Sequence, residues 1–238
     1  MNTPSITLLV LTFNEVEGMK AIMPQIPKEL FCQILIADGN STDGTIEYAR
    51  SQGYEVYVQQ KKGIRHAYIE VFPLVRGEYV LTFSPDGNSK VEDLVPLIEK
   101  IKEGYDMVIA SRYAPGAKSL DDDAVTAFGN WLFTRSINLF HGGHYTDAMV
   151  IYRIYRRALF YELDLHKEES YVTEKVFGTV MGCEPLLSIR AAKKKLKLAE
   201  IPSSEPPRIG GERKLQIIRW GGAYYLQILR ELFFWRGR

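Results

Sequence analysis

ILIADGNSTDGT, residues 34–45, decides the fold. A β-branched, apolar run stops at Asp38 and gives way to a turn of Gly, Asn, Ser, Thr and Asp. Such a run bounded by turn residues reads as a buried parallel strand feeding a helix. Two other stretches have the same form: LLVLTFNE at 8–15 and YVLTFSPDGN at 79–88. In open α/β sheets ligands bind beyond the carboxyl ends of the strands. The three turns therefore face one crevice, which gathers Thr12, Asn14, Glu15, Asp38, Asp43, Asp86 and Asn88. Acids and amides together suit a base, a ribose and a divalent cation, because carboxylates brought together without a cation repel one another.

Outward from these turns the pattern alternates. Strands are expected over 6–12, 33–37, 54–58, 78–83 and 106–110. Helices are expected over 15–23, from the DGNSTDGT turn to Gly53, over 64–74, and from Ser89 to Gly104. Ser89 with Glu92 three residues on spells a capping box. This rhythm predicts an α/β fold, a mostly parallel sheet with helices on both faces. The second half is less regular. A helix is expected over 125–140, ending at HGGH, a short strand near 148–155, a helix over 168–181 closed by Gly182, and a strand over 197–201. The stretch 202–211 (PSSEPPRIGG) reads as a loop. The expected organisation is one domain over 1–213, with a nucleotide-sugar half (1–112) and an acceptor half (113–213), followed by a C-terminal helical tail over 214–238.

Composition bounds the function. The 238 residues are 46% hydrophobic and 25% charged, with a net charge of +1, so no nucleic-acid footprint covers the chain. The charge is uneven. From Arg190 onward 12 Lys and Arg face 4 Glu, a net +8 that leaves −7 for the rest. Cys32 and Cys183 sit among apolar neighbours without metal spacing, which suits a reducing, cytoplasmic setting. No stretch approaches the roughly 20 apolar residues of a membrane span. The aromatic tail, IIRWGGAYYLQILRELFFWRGR, is open to three readings: peripheral contact at the inner face of a membrane, packing on its own domain, or a homo-oligomer contact.

Asp86 and Asn88, at i and i+2 of a strand-end turn, can reach one Mg²⁺ or Mn²⁺; such cations take oxygen ligands and share them with phosphates. Asp38 suits a base N–H or a ribose hydroxyl, whereas Asp43 reads as a helix cap. Lys62 and Arg65 at another strand-to-helix turn suit a phosphate. Asp147 is the first choice for a catalytic base and Glu174 the second. Arg208, Arg213 and Lys214 lie in a Pro/Gly-rich loop suited to close over phosphates. His141 and His144 are spaced like metal ligands, but a pair in a Gly turn is not read as a metal site, and Asp121 to Asp123 read as a solvated charge run.

The order TFNE, ADGNSTDGT, KKGIRHAY, SPDGNS, SRY, TDAMVIYRIYRR and EIPSSEPPRIGGERK, spanning about residues 6–215, resembles family 2 glycosyltransferases of the GT-A fold. The nearest likeness is to polyprenyl-phosphate sugar synthases. The resemblance implies sugar transfer from a nucleotide-sugar donor with Mg²⁺ or Mn²⁺. It places Asp38 at the base or ribose, and Asp86 at the last Asp of the family's DxD motif, the metal ligand. Asn88 stands at a second, Gln-type ligand, and Asp147 in the TD before a GFR-like strand. Arg208 and Lys214 fall in the phosphate-contacting loop. Three positions depart from the pattern: Ser84 for the first Asp of DxD, Arg65 for a Gly, and Tyr152 for a Phe.

The expected activity is a metal-dependent, inverting hexosyl transfer from a UDP- or GDP-sugar. A polyprenyl-phosphate acceptor suits the basic C-terminal half. A soluble or glycan hydroxyl acceptor in cell-envelope polysaccharide synthesis is the alternative. Two rival classes are a nucleotidyltransferase, which usually opens on a Gly-rich phosphate loop that TFNEVEG poorly matches, and a non-catalytic nucleotide-sugar-binding domain.

Overall fold

In the computed structural model, which describes residues 4–209 and 217–237, seven strands form one sheet. The strands are β1 (Ile6–Thr12), β2 (Gln33–Asp38), β3 (Glu55–Val58), β4 (Tyr79–Phe83), β5 (Met107–Ser111), β6 (Arg153–Arg156) and β7 (Leu198–Pro202), in the order β3-β2-β1-β4-β6-β5-β7. All neighbours run parallel except β6, which is antiparallel to both β4 and β5. The helices of the first half are α1 (Val16–Ile22), α2 (Thr45–Ser51), α3 (Ile64–Val71) and α4 (Leu94–Ile101). The second half adds α5 (Ala124–His141), α6 (Leu159–Glu162), α7 (Thr173–Phe177), α8 (Glu184–Lys193) and α9 (Ile217–Phe234). The mostly parallel α/β sheet expected from the sequence is present.

Alternate residues of β1 divide between two cores. Leu8 and Val10 pack with Met19 and Met23 and with Leu94, Leu97 and Ile98 of α4. Leu9 and Leu11 pack with Tyr68 and Val71 of α3 and with Leu186 and Ile189 of α8. A strand covered on both faces has no polar side, which is why these runs are continuously apolar. In α4, Leu94, Leu97, Ile98 and Ile101 are buried, the i, i+3, i+4, i+7 stripe of a helix with one face inward.

Several expectations differ from what is found. No side chain caps α4; a 3-10 turn over Val91–Asp93 precedes it and Ser89 is buried, so the capping box does not form. The helix expected over 168–181 is a 3-10 turn (Glu168–Tyr171) followed by α7, and it stops at Gly178, whose φ of +58° closes it. Helix α8 follows, unforeseen. Every residue from Glu184 to Ala192 is buried, so no amphipathic period marks it. Asp121 to Asp123 are only partly a solvated run: Asp121 takes Asn88 and Asp122 takes the Tyr113 hydroxyl, while Asp123 is exposed and caps α5 through the Thr126 N–H at 2.8 Å. Cys32 is exposed, so its setting is not apolar. Among the described residues no helix is long and apolar enough to cross a membrane.

The tail helix α9 packs on α5, α7 and α8. Its fully buried Glu231 accepts from the Arg190 guanidinium of α8 at 2.9 and 3.1 Å. Arg190 also donates to Leu163 O and Ser170 Oγ, so this buried charge has partners on several sides.

Candidate active site

The carboxyl ends of β1, β2 and β4 meet at one edge. Register pairs Thr12 with Asp38, and the Thr12 hydroxyl donates to Asp38 Oδ2 at 2.7 Å. Asp38 also accepts from the Ser41 N–H and hydroxyl, both at 2.7 Å, and is fully buried. The carboxylate thus fixes the turn that follows β2. Asn14, held at a φ of +55°, ties the neighbouring turn to it: its N–H donates to Ser41 Oγ and its Oδ1 accepts from Thr42 N–H. The Glu15 N–H donates to Thr45 Oγ1 at 2.9 Å. Asp43 accepts from the N–H groups of Val16 of α1 and of Thr45 two residues on, but the N-cap of α2 is Gly44, so Asp43 is not the helix cap expected of it. Burial alone would raise its carboxyl, but the Thr45 and Val16 hydrogen bonds hold it below the usual carboxylate range.

Beyond β4, the Ser84-Pro85-Asp86-Gly87-Asn88 turn rests on α1. A Cβ on Gly18 would overlap the Pro85 carbonyl oxygen, so only glycine lets the helix approach this closely. Asp86 is buried. Its Oδ1 accepts from Asn88 N–H at 3.0 Å and its Oδ2 from Arg208 at 2.7 Å. The Ile209 N–H donates to Asp86 O at 2.6 Å, drawing the loop after β7 across the turn. Arg208 also lies 3.9 Å from Glu15 Oε1. Asn88 Nδ2 donates to Asp121, while Asn88 Oδ1 is buried without a hydrogen-bond partner.

These residues fit a hard cation. An orphaned amide oxygen two residues from a carboxylate is a donor set for Mg²⁺ or Mn²⁺. No group of three or more acidic, His or Cys side chains among the described residues does so, and such a cation takes its remaining ligands from phosphates and water. The Arg208 guanidinium lies on the same carboxylate oxygen, so the position already favours positive charge.

Arg65 and Glu174 bind each other instead of a ligand. The Arg65 Nε and Nη2 donate to Glu174 at 3.0 and 2.7 Å, its Nη1 donates to Glu168 at 2.9 Å, and its guanidinium lies 4.5 Å from the Tyr171 ring centre. In this arrangement all three guanidinium nitrogens of Arg65 donate to carboxylates. Glu174 also accepts from Met181 N–H and is buried, so it is not a surface residue. Lys62 is exposed at the same turn, and its carbonyl is 2.7 Å from His66 Nδ1. Ser84 is half-buried at the end of β4. Arg213 and Lys214 lie outside the described residues.

Asp147 is fully buried and takes a two-pronged contact from Arg112, 2.7 Å from Nε and 3.2 Å from Nη2. Burial would raise its carboxyl, but the Arg112 guanidinium outweighs this and holds it below the usual range. A carboxylate so held is a weak base, and its evident work is to fix Arg112. Sequence reading passed over Arg112. Asp147, Glu205 and Asp122 surround its guanidinium at 2.7, 3.5 and 3.7 Å. The available signal was an Arg directly after a buried strand end, in Ser111-Arg112-Tyr113.

Arg112, Arg208 and Asn88 share the wall of a cavity of about 410 Å³ with Val125 and Phe133 of α5 and with Trp220 and Tyr224 of α9. Glu184 reaches the same wall. Its Oε1 accepts from the Tyr68 hydroxyl at 2.5 Å, and burial raises its carboxyl. One cavity thus joins cations and amides to aromatic and aliphatic surface.

The chain matches the family model "Glycosyl transferase family 2" over residues 7–164. It is 30% identical to "Glycosyltransferase AglJ" of Haloferax volcanii, over 97% of this chain and 73% of that protein. It is 27% identical to the "Undecaprenyl-phosphate mannosyltransferase" of Micrococcus luteus, over 93% and 96% of the two chains. Among solved structures it is similar to glucosyl-3-phosphoglycerate synthase from Mycobacterium tuberculosis in complex with Mn²⁺, UDP and glucosyl-3-phosphoglycerate. The TM-score is 0.64 at 15% identity, covering 96% of this chain and 80% of that one, a likeness of GT-A fold. The strand-end crevice, the order of its turns and the match across most of its length make the chain a member of glycosyltransferase family 2.

Proposed function

We propose that this glycosyltransferase moves a hexosyl group from a nucleoside diphosphate sugar to a polyprenyl phosphate, with inversion at the anomeric carbon. The observation that carries the reading is the shared cavity wall, where Arg112, Arg208 and Asn88 adjoin the aromatic surface of α5 and α9. A phosphate monoester on an apolar chain has both characters. The Micrococcus luteus relative, whose name states a polyprenyl-phosphate acceptor, aligns over nearly its whole length and supports the same reading.

Thr12, Asn14 and Asp38 would hold the nucleoside at the strand ends. Asp86 and Asn88 Oδ1 would hold Mg²⁺ or Mn²⁺. When bound, that ion neutralises charge building on the leaving diphosphate. Arg208 would leave the Asp86 carboxylate for the phosphates. Arg112, pinned by Asp147, would orient the acceptor phosphate on the opposite face of the sugar. Attack from that face in one displacement inverts the anomeric carbon. A phosphate monoester is already ionised near neutral pH and needs no base. This agrees with Asp147 and Glu174 each being bound to an arginine.

A hydroxyl acceptor is the second reading, and Glu184 favours it. A buried carboxyl raised by its surroundings and set in the cavity wall has the properties of a base for a sugar hydroxyl.

The experiment is a thermal-shift panel of UDP, GDP and their sugars with and without Mn²⁺, followed by transfer of labelled sugar to a short-chain polyprenyl phosphate. The reading expects a metal-dependent shift and a labelled lipid, since a ligand that binds only the folded state raises apparent stability. Asp86→Ala should lower metal-dependent turnover by about two orders of magnitude, the scale of losing a principal electrostatic stabiliser. Full Mn²⁺-dependent activity in Asp86→Ala would remove Asp86 from the metal. Transfer to glycans but not to polyprenyl phosphate would favour the Glu184 reading.

A further inference from the structure

Helix α5 is built against the usual rule for a surface helix. Of its 18 residues, AVTAFGNWLFTRSINLFH, only Arg135 and His141 are ionisable, and His141 is buried against Ile228 O. Yet the helix is not enclosed. Val125, Phe128, Trp131 and Leu139 are 57%, 60%, 54% and 77% exposed, and Phe128 stacks on Trp131 with ring centres 5.7 Å apart. With Arg135 they follow the spacing i, i+3, i+6, i+10, i+14, one continuous outer stripe. A helix apolar on every side is normally covered. A contiguous exposed apolar surface on a folded chain marks an interaction site.

We propose that the outer stripe of α5 docks the protein on an anionic lipid surface. The proposal deepens the polyprenyl-phosphate reading and rests on it for the acceptor. Two observations choose lipid over a second copy of the chain. First, Val125 is both exposed and part of the cavity wall, so the stripe begins at the mouth of the site. A polyprenyl tail leaving the cavity there would pass directly into whatever the stripe touches. Second, the side chains that carry charge at the exposed surface of α5 and α9 are cationic. Arg135 and Arg219 are exposed and Arg230 is half-buried, while Glu231, the acid of α9, is fully buried on Arg190. Aromatic side chains at headgroup depth beside arginines are the pattern of an interfacial helix. Phe233 and Phe234 of α9, 72% and 73% exposed, add further apolar surface on a helix that packs against α5.

The test is flotation of the full chain with phosphatidylcholine vesicles, with and without phosphatidylglycerol. The variant is Phe128→Ser/Trp131→Ser, at two exposed positions outside the cavity wall. The proposal expects wild type to float with anionic vesicles and the double variant to bind at least about tenfold more weakly. Both proteins should unfold at the same temperature and show the same nucleotide shift. Brominated lipid should quench wild-type tryptophan fluorescence, and Trp131→Phe should lose most of that quenching. Wild type remaining unbound with every vesicle would overturn the proposal. So would a double variant that floats like wild type, or a wild-type dimer that the double variant splits without any vesicle binding. Transfer to a water-soluble isoprenyl phosphate without vesicles separates the two readings. Lost flotation with retained soluble transfer isolates docking. Flotation that depends on Phe128 and Trp131 in a chain that transfers nothing to isoprenyl phosphates would keep docking and remove the acceptor.

Discussion

Arg65, Arg112 and Arg208 are each held by a carboxylate, and the partners define what each can do. Arg65 sits between Glu174 and Glu168 with almost no exposure, so its charge serves the fold. Glu174→Ala would strand that guanidinium. Removing one partner of a buried pair typically costs about 3–5 kcal/mol, and Glu168 at 2.9 Å places this case at about 3 kcal/mol. Urea unfolding should show the midpoint fall with an unchanged slope. Arg112 faces the cavity, and Asp147 sets it there. The depressed Asp147 carboxyl implies a definite pH dependence. A group ionised more readily in the native state contributes stability that is fully present above its unfolded value and lost as pH falls through its native one. Asp147→Asn should therefore lower the melting temperature at neutral pH. That gap should narrow as pH drops below about 4, the ordinary carboxylate range. A gap that stays constant from pH 7 to pH 3 would show that the ionised form of Asp147 is not what stabilises the fold.

At the scale of elements, the turn after β4 is positioned by the helix beneath it. Gly18 in α1 admits the Pro85 carbonyl, and a methyl group there would push the Asp86 turn away from β1 and Arg208. Gly18→Ala should weaken Mn²⁺ binding by at least about tenfold, since outer-shell changes cost about 10–100-fold in metal affinity. A titration of Mn²⁺ by its spin-resonance signal reads this directly. Retained affinity would show that the turn adjusts without moving Asp86. The strands and the Asp86-Asn88 turn were legible in sequence because a strand covered on both sides leaves a long apolar run with an abrupt polar end. Helix α8 was not, because it is buried all round and carries Glu184, Ser188 and Arg190 inside. The pairing of Arg65 with Glu174 was hidden for a different reason: 109 residues separate them, and only the tertiary fold brings them together. Ser89 and Glu92 misled because a local capping signal lost to a 3-10 turn and to burial of Ser89 itself.

Across the whole molecule, the cavity depends on a helix far from the strand ends in sequence. Trp220, Gly221 and Tyr224 of α9 line the same cavity as Arg112 and Asn88, and Tyr224 accepts the Gly182 N–H at 3.0 Å. Farther along α9, Glu231 takes Arg190, Arg230 and Gln227, while the Trp235 indole donates to Asp164 at 3.1 Å. The tail is thus fastened at its C-terminal end by a buried ion pair, and its N-terminal end forms part of the cavity wall. The strand-end turns that carry Thr12, Asp38 and Asp86 stand on β1, β2 and β4. Glu231→Ala should uncouple the two sides. Leaving Arg190 buried without its carboxylate costs about 3–5 kcal/mol. The loss should fall on α9 first, because an element that covers a core from outside opens before the sheet does. Hydrogen exchange should quicken along 217–234 while β1 and β4 stay protected. The nucleotide-dependent thermal shift should persist at a lower baseline temperature, and KM for the lipid acceptor should rise more than KM for the donor. If both rise equally, α9 stabilises the domain as one unit and the cavity wall is not separately controlled.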